Sequence, residues 1–321
     1  VAQWTPLVFT ITYVAGSGTG NASRTSDSFS YGGSAITLPS VGSMSYAGYV
    51  FAGWAETSTV ISGTYTATQS VTLTAQWTSA TVALTYNTNG ASGSPTGAPA
   101  TYTTGVNGVA LPGATGMSNP GYTLSGWSTS PTGSVISGTY KPTTDVTLYA
   151  IWTPALQPIL FAAGSVNETT TSGATLNTTS TTAAFGSGYT LPNIGSPTVT
   201  ISSQVYAFTG WRSANGTVYS VGSIYPVEVG GTTFTAQWIQ QFVVIYVLNG
   251  GTAAAGDLST DPECANAGNM CNSGQTITTN IAPTRTGYTF TGWVDQGATA
   301  VGAAGSYTVD AGHYVLSAQW S

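Results

Sequence analysis

Charged residues are scarce in this chain of 321 residues: lysine and arginine together number 4, aspartate and glutamate 10, and histidine 1. Four cations cannot form the basic surface that nucleic acids require, so no nucleic-acid partner is expected. One histidine and two cysteines cannot build repeated zinc sites, and no metal or cofactor is predicted. The longest apolar run, Phe242–Leu248, is far shorter than the ~18 residues that indicate a membrane-spanning helix.

The residues that are present favour folded β-structure. Hydrophobic residues make up 41% of the chain and aromatic residues 11%, with a net charge of −6, whereas disordered chains combine low hydrophobicity with high charge. Thr, Ser, Gly, Val and Tyr are mediocre to poor helix formers, while Thr, Val and Tyr favour strands. We therefore expect a mainly β protein with at most one short helix in each domain.

The nine tryptophans reveal an internal repeat. Four follow a glycine, five close an Ala-x-Trp triplet, and no tryptophan lies outside these two motifs. The Gly-Trp set is Trp54, Trp127, Trp211 and Trp293, and the Ala-x-Trp set is Trp4, Trp77, Trp152, Trp238 and Trp320. From each Gly-Trp to the next Ala-x-Trp the sequence runs 23, 25, 27 and 27 residues. Such regular spacing indicates tandem structural repeats.

Other landmarks recur in the same order and set the domain boundaries. Each repeat opens with an apolar strand-like run, has a proline after an apolar residue in its middle, and then carries the Gly-Trp and closing segments. The chain divides into residues 1–5, which match the end of a closing strand, and four repeats: 6–78 (repeat 1), 79–153 (repeat 2), 154–239 (repeat 3) and 240–321 (repeat 4).

The closing segments have the two-residue period of a half-buried strand. In repeat 1 the apolar positions are Val71, Leu73, Ala75 and Trp77, with threonine or glutamine between them. In the Gly-Trp segment, Tyr49 and Phe51 share one face. Trp54 falls on the opposite face unless Gly53 forms a β-bulge.

These motifs resemble a known repeat. Gly-Tyr-x-Phe-x-Gly-Trp, followed 23 to 27 residues later by Val-Thr-Leu-x-Ala-x-Trp, is similar to the Listeria–Bacteroides repeat, or internalin B B-repeat-like domain. The similarity is strongest in repeats 1, 2 and 4, and the family's Asn-Gly-Gly is matched at 249–251 and partly at 89–90. Repeat 3 lacks the glycine before Tyr206. The resemblance implies small β-grasp-like domains in tandem on secreted surface proteins, without catalytic residues to transfer.

The repeated tryptophans have two possible roles. Because each occupies a fixed place in an apolar strand pattern, we expect them to form the cores. The structural-core set is Trp54, Trp77, Trp127, Trp152, Trp211, Trp238, Trp293 and Trp320. The alternative is an exposed aromatic platform that stacks on sugar rings, which we would expect in repeat 3 or 4.

The first five residues repeat the end of a closing strand without a preceding repeat. They are Val1, Ala2, Gln3, Trp4 and Thr5. An unpaired strand and an unburied tryptophan are costly, so we expect this segment to pair with a preceding repeat or another copy. An arbitrary chain boundary is the other reading.

The remaining candidate residues favour structural roles over catalysis. His313 has Asp310 and Asp295 not far away in sequence, but no other repeat has an equivalent, which argues against a catalytic triad. An acidic group in repeat 4 comprises Asp257, Asp261 and Glu263. Its spacing matches no calcium loop or glycosidase pair, so a solvated loop is expected.

Two cysteines lie within that same region of repeat 4. Cys264 and Cys271 are seven residues apart, and in a secreted, cysteine-poor chain a single disulfide is the simplest reading, with free thiols as the alternative. Asn-x-Ser/Thr sequons occur at Asn21, Asn167, Asn177 and Asn215. Their number is no more than a Ser- and Thr-rich chain gives by chance, so glycosylation stays open.

Together these features predict a non-enzymatic, extracellular, structural tandem-repeat protein of a cell-surface stalk or filament. Its expected partners are copies of itself or adjacent repeats of a longer chain. The alternative is an adhesin or carbohydrate-binding module that recognises surface glycans through exposed aromatic residues.

Overall fold

The computed structural model describes residues 1–164, 179–194, 198–201, 204–253, 264, 270–279, 281–311 and 314–321. Every regular element in these ranges is a β-strand, so the expectation of a mainly β protein is confirmed. Two compact units are present, Val1–Pro154 with repeats 1 and 2, and Ala155–Ser321 with repeats 3 and 4.

Repeat 1 forms a four-stranded sheet and a two-stranded ribbon. Its strands are β1 (Val8–Val14), β2 (Ser26–Ser30), β3 (Ile36–Thr37), β4 (Tyr49–Ala55), β5 (Thr64–Tyr65) and β6 (Val71–Ser79). The sheet order is β2-β1-β6-β4, and β3 pairs with β5. The opening strand β1 and the closing strand β6 are parallel neighbours at the centre of the sheet.

Repeat 2 has the same main sheet, whereas its two-stranded ribbon joins different segments. Its strands are β7 (Thr81–Asn87), β8 (Ser92–Gly93), β9 (Thr101–Thr103), β10 (Met117–Ser118), β11 (Tyr122–Ser128) and β12 (Val146–Pro154). The main sheet runs β9-β7-β12-β11, with β7 and β12 parallel, and β8 pairs with β10. Both repeats of the first compact unit therefore place their first and last strands side by side.

Repeat 3 elaborates the same sheet. Its strands are β13 (Leu156–Ala162), β14 (Thr181–Ala184), β15 (Gly188–Thr190), β16 (Thr198–Ile201), β17 (Gln204–Ser213), β18 (Val218–Tyr219), β19 (Ile224–Pro226) and β20 (Thr232–Phe242). The order β14-β13-β20-β17-β16 keeps the parallel pair, here β13 and β20.

Repeat 4 completes the series. Its strands are β21 (Ile245–Val247), β22 (Cys271–Asn272), β23 (Thr276–Thr278), β24 (Phe290–Asp295), β25 (Ala300–Val301), β26 (Ser306–Thr308) and β27 (Val315–Trp320). The sheet order is β21-β27-β24-β25, with β21 and β27 parallel. Strand β20 continues past residue 239 into repeat 4, where its Gln241 and Phe242 pair with Asn272 and Cys271 of β22.

A β-bulge at each Gly-Trp motif turns the aromatic side chains to one face. In repeat 1 the pairing of β4 with β6 shifts between Phe51 and Gly53, whose φ is 138°. As a result Phe51 and Trp54 meet edge to face, 5.4 Å between ring centroids. The same shift occurs before Gly126, Gly210 and Gly292. The bulge that the sequence pattern left open is thus a feature of all four repeats.

Repeats 1 and 2 are joined by one residue, Ala80, between β6 and β7. Its amide donates to Gly48 O at 2.9 Å and its carbonyl accepts from Thr104 N at 2.9 Å. The Thr104 hydroxyl, 4% exposed, also donates to Gly48 O. A one-residue linker held from both sides leaves little freedom between these two repeats.

Candidate functional site

The Gly-Trp tryptophans lie at the centre of each repeat. Trp54, Trp127, Trp211 and Trp293 are at most 1% exposed. Each indole N–H donates to a backbone carbonyl of the mid-repeat segment: Pro39, Pro112 and Pro192 accept in repeats 1 to 3, and Ile281 accepts in repeat 4. Because a buried N–H without an acceptor is costly, this bond explains why the segment around the mid-repeat proline recurs.

The Ala-x-Trp tryptophans of the four repeats lie nearer the surface. Trp77, Trp152, Trp238 and Trp320 are half-buried. Their indole N–H groups donate to the carbonyls that follow the opening strands, at Ala15, Thr88, Ala163 and Leu248, over 2.8 to 3.0 Å. Each closing strand is therefore bonded to the turn after the opening strand of its own repeat.

An asparagine stabilises that turn in repeats 2 and 4. Asn89 and Asn249 adopt the left-handed conformation, with φ of 52° and 48°. The side-chain amides donate to Ala150 O at 2.9 Å and to Ala318 O at 2.8 Å, both on the closing strand. Asparagine tolerates this conformation better than most residues, which explains the Asn-Gly motif physically.

A four-residue turn precedes each Gly-Trp strand of repeats 1, 2 and 4. In repeat 2, Tyr122 N donates to Asn119 O at 3.0 Å, and Gly121 has a φ of 82°. The equivalent first and last residues are Tyr46 and Tyr49 in repeat 1, and Arg285 and Tyr288 in repeat 4. A positive φ at the third position is the mark of a type II turn, which favours glycine there.

The first residue of this turn differs, and with it the surface beside the Ala-x-Trp indole. In repeat 1 the Tyr46 ring stacks on Tyr49, with centroids 4.2 Å apart and planes at 9°. In repeat 4 the Arg285 guanidinium lies 4.0 Å above the Tyr288 ring. In repeat 2 the equivalent residue is Asn119, and Tyr122 is 40% exposed, against 52% for Tyr288 in repeat 4.

A cleft of about 480 Å³ lies beside Trp152 in repeat 2, and one of about 560 Å³ lies beside Trp320 in repeat 4. The walls of the cleft in repeat 2 include Trp152, Tyr122, Asn119 and Thr132, and no charged side chain lines it. Arg285 is part of the lining of the cleft in repeat 4. These clefts were not predicted from the sequence. The sequence shows, however, that the first residue of the turn differs between repeats: Tyr46, Asn119 and Arg285.

The segment Val1–Thr5 belongs to no strand, and Trp4 is 90% exposed. Leu7, which directly precedes β1, is 69% exposed. The proposed pairing of the first five residues with another strand stays a prediction.

Two of the catalytic candidates of repeat 4 lie near the same hydroxyl: burial and then the charges of Asp295 and Asp310 raise the pKa of Tyr307. Asp295 is 6% exposed, and its Oδ1 accepts from Thr299 N at 2.7 Å, as expected for a residue that stabilises a turn. His313 lies outside the described residues, as do Asp257, Asp261 and Glu263. Within the described ranges no group of His, Cys, Asp and Glu could hold a metal ion.

The two cysteines are bonded to each other in the core of repeat 4. Cys264 and Cys271 form a disulfide, and both are at most 1% exposed. They pack in one cluster with Phe242, Trp293 and Leu316. The sequon residues Asn21 and Asn215 are exposed, whereas Asn167 and Asn177 are not among the described residues.

Equivalent tyrosines of repeats 1 and 2 have different polar environments. Tyr13 and Tyr86 each contact the Gly-Trp indole of their repeat, at 5.0 Å between centroids. The Tyr13 hydroxyl donates to Asp27 at 2.8 Å, and burial followed by this carboxylate raises the pKa of Tyr13 above its usual value. The buried Tyr86 hydroxyl finds no partner among the described residues, and burial alone raises the pKa of Tyr86.

The repeated frame agrees with the comparisons with known proteins. The model of the Listeria-Bacteroides repeat domain matches residues 9–78, 83–151 and 242–319, well over half of the chain. The chain belongs to the Listeria-Bacteroides repeat family. The matched ranges lie in repeats 1, 2 and 4; repeat 3 is not matched. No curated protein and no solved structure matches the chain. Within the described residues, no helix has the length and apolar character needed to cross a bilayer.

Proposed function

We propose that this chain is a non-enzymatic structural protein of the cell exterior, whose tandem repeats form part of a stalk or filament. Family membership supports a place outside the cell, since repeats of this family suggest an extracellular or surface protein. The first and last strands of each repeat support the role in a stalk or filament.

In all four repeats the opening and closing strands are parallel neighbours joined by a hydrogen-bond ladder. Examples are Ile11 opposite Val71 in repeat 1 and Ile159 opposite Thr232 in repeat 3. A pull along the chain enters a repeat through the first strand and leaves through the last. Since these strands are parallel, the pull shears the whole ladder instead of opening bonds one by one. This arrangement suits a protein under tension.

The surface composition also suits close association of copies. With four cations and ten acids in 321 residues, electrostatic repulsion between copies is small. The exposed positions of the opening and closing strands are rich in threonine, as in Thr10, Thr12 and Thr72. Hydroxyl groups form hydrogen bonds that salt screens little, in contrast to exposed ion pairs.

Immunogold electron microscopy of intact cells tests the proposal. Antibodies raised against the whole chain should label appendages or the outer surface without permeabilisation. Labelling that appears only after the cells are opened would overturn the surface role. Surface labelling without any extended or filamentous material in purified native samples would overturn the stalk or filament.

A further inference from the structure

Beyond the structural role, we propose that the pair Asn107-Gly108 in repeat 2 is a site where the chain modifies itself by losing a side-chain amide. In this reaction the backbone nitrogen of Gly108 bonds to Cγ of Asn107. The side-chain nitrogen leaves as ammonia, together with the amide proton of Gly108. Water then opens the succinimide ring that has formed and gives aspartate or isoaspartate. The reaction needs no enzyme, metal or oxidant, and either product adds a negative charge to the chain.

Asparagines that precede a glycine are the candidates for this reaction. Glycine has no side chain to shield its backbone nitrogen, so the Asn-Gly sequence favours ring closure. The local sequence therefore predicts similar reactivity at every such pair, and the folded structure is what distinguishes them. The four pairs in the chain are Asn89-Gly90, Asn107-Gly108, Asn215-Gly216 and Asn249-Gly250.

Two of the four asparagines have their side-chain amide fixed by hydrogen bonds. The Asn89 amide donates to Pro131 O at 2.8 Å and to Ala150 O at 2.9 Å. The Asn249 amide donates to Ala318 O at 2.8 Å. Ring closure requires Cγ to turn toward the next backbone nitrogen and the amide nitrogen to leave. Because both steps break these bonds, we expect Asn89 and Asn249 to react only through local opening of the structure.

At Asn215 both reacting groups are fixed. The side-chain Oδ1 accepts from the Ser213 hydroxyl at 2.6 Å and from Thr217 N at 3.0 Å. The attacking nitrogen belongs to Gly216, whose N–H donates to Ser213 O at 2.9 Å. These bonds lie in the turn between β17 and β18. The attack therefore requires the turn to open first.

Asn107 has none of these restraints. Its side chain is exposed and, within the part of the chain that the structure describes, forms no hydrogen bond. The Gly108 N–H likewise donates to no acceptor there. Packing requires the glycine, since a Cβ at this position would lie 2.0 Å from Thr139 Cγ2 and 2.7 Å from Tyr140 O. The fold thus keeps an Asn-Gly pair at a position where neither reacting group is fixed.

The test is to keep the whole folded chain in mildly alkaline buffer and to follow each Asn-Gly pair by peptide mapping. Mass spectrometry with electron-transfer fragmentation distinguishes asparagine, aspartate and isoaspartate at each site. We expect Asn107 to convert at least about tenfold faster than the other three asparagines, since those react only through local opening. In concentrated urea, where the protecting hydrogen bonds are lost, the four rates should agree within about threefold.

Two variants, checked for folding by circular dichroism before incubation, locate the cause. Asn107→Gln should abolish the fast reaction, because glutamine has to close a larger ring, and should leave the other three rates unchanged. Ser213→Ala removes one bond to the Asn215 side chain and should raise the rate at Asn215 at least about twofold without changing the rate at Asn107. Equal rates at all four pairs of the folded chain, a preference for Asn107 that persists in urea, or an unchanged rate at Asn215 in Ser213→Ala would overturn the proposal.

Discussion

Repeats 1 and 2 share their interior and differ at their surface. Trp54 and Trp127 occupy the same buried position, with the indole N–H bonded to a proline carbonyl in both. At the turn before the Gly-Trp strand, however, Tyr46 stacks on Tyr49 in repeat 1, whereas repeat 2 has Asn119 at the equivalent position. The comparison separates the residues that hold the fold from a position whose side chain varies.

The shared positions are those where geometry leaves little choice. A bulge requires a glycine at positive φ, and a buried indole requires an acceptor. The first position of the turn has no such requirement, since tyrosine, asparagine and arginine occupy it, each half-buried, in repeats 1, 2 and 4. We therefore expect substitutions of the frame to act alike in both repeats.

The largest effect should come from the buried indoles. Trp54→Ala and Trp127→Ala each leave a cavity and an unpaired proline carbonyl, and each should lower the unfolding free energy of its repeat by about 3–5 kcal/mol. Hydrogen exchange of the amides in the pairs β4–β6 and β11–β12 measures this repeat by repeat. Trp4→Ala is the control. Since Trp4 is 90% exposed, this substitution should change the unfolding free energy measured by exchange by no more than about 0.5 kcal/mol. A small loss of unfolding free energy for Trp127→Ala alone would show that the two buried indoles do not stabilise their repeats alike.

Matched glycines should give the next largest effect. A Cβ added at Gly20 would lie 2.4 Å from Ser43 O, and one at Gly93 would lie 2.2 Å from a backbone carbonyl, both at positive φ. Gly20→Ala and Gly93→Ala should each cost about 2–4 kcal/mol from strain and overpacking. Gly63→Ala and Gly138→Ala, at positive φ but in open space, should cost only about 1–2 kcal/mol. The measurement is urea unfolding. Equal losses of unfolding free energy at all four glycines would show that the close contacts do not add to the cost of the substitution.

The smallest effect should distinguish the two repeats. Tyr13→Phe removes a hydrogen bond to a carboxylate and should cost about 1.5 kcal/mol or more, whereas Tyr86→Phe removes an unpaired buried hydroxyl and should be neutral within about 0.5 kcal/mol or stabilising. The measurement is again hydrogen exchange in each repeat. A larger loss of unfolding free energy for Tyr86→Phe than for Tyr13→Phe would contradict the finding that the Tyr13 hydroxyl is hydrogen-bonded and the Tyr86 hydroxyl is not.

These two tyrosines also predict how stability depends on pH. Since folding raises both pKa values, their contribution is fully present below the unfolded tyrosine pKa of about 10 and is lost as the pH rises above it. Unfolding free energy should therefore fall in alkaline solution, and the fall should be shallower in Tyr13→Phe and Tyr86→Phe. An unchanged alkaline slope in both variants would contradict this.

Most of the frame could be predicted from the sequence, because it consists of residues with narrow physical requirements. The Trp motifs and the two-residue period of Val71–Ser79 mark strands, whereas the pattern left the bulge at Gly53 open. The pairing of first and last strands could not be seen, since it joins residues about sixty positions apart, as in Ile11 with Val71. The clefts beside Trp152 and Trp320 could not be seen either, because each lies between a turn and a closing strand that are far apart in the sequence.

The central claim is that one tryptophan frame holds all four repeats, including repeat 3, which the family model does not match. Exchange of the nine indole N–H groups in deuterated water tests it most directly. The account predicts eight protected signals, each bonded to a backbone carbonyl, and rapid exchange at Trp4 alone. Rapid exchange at Trp211 and Trp238 of repeat 3 as well would contradict it.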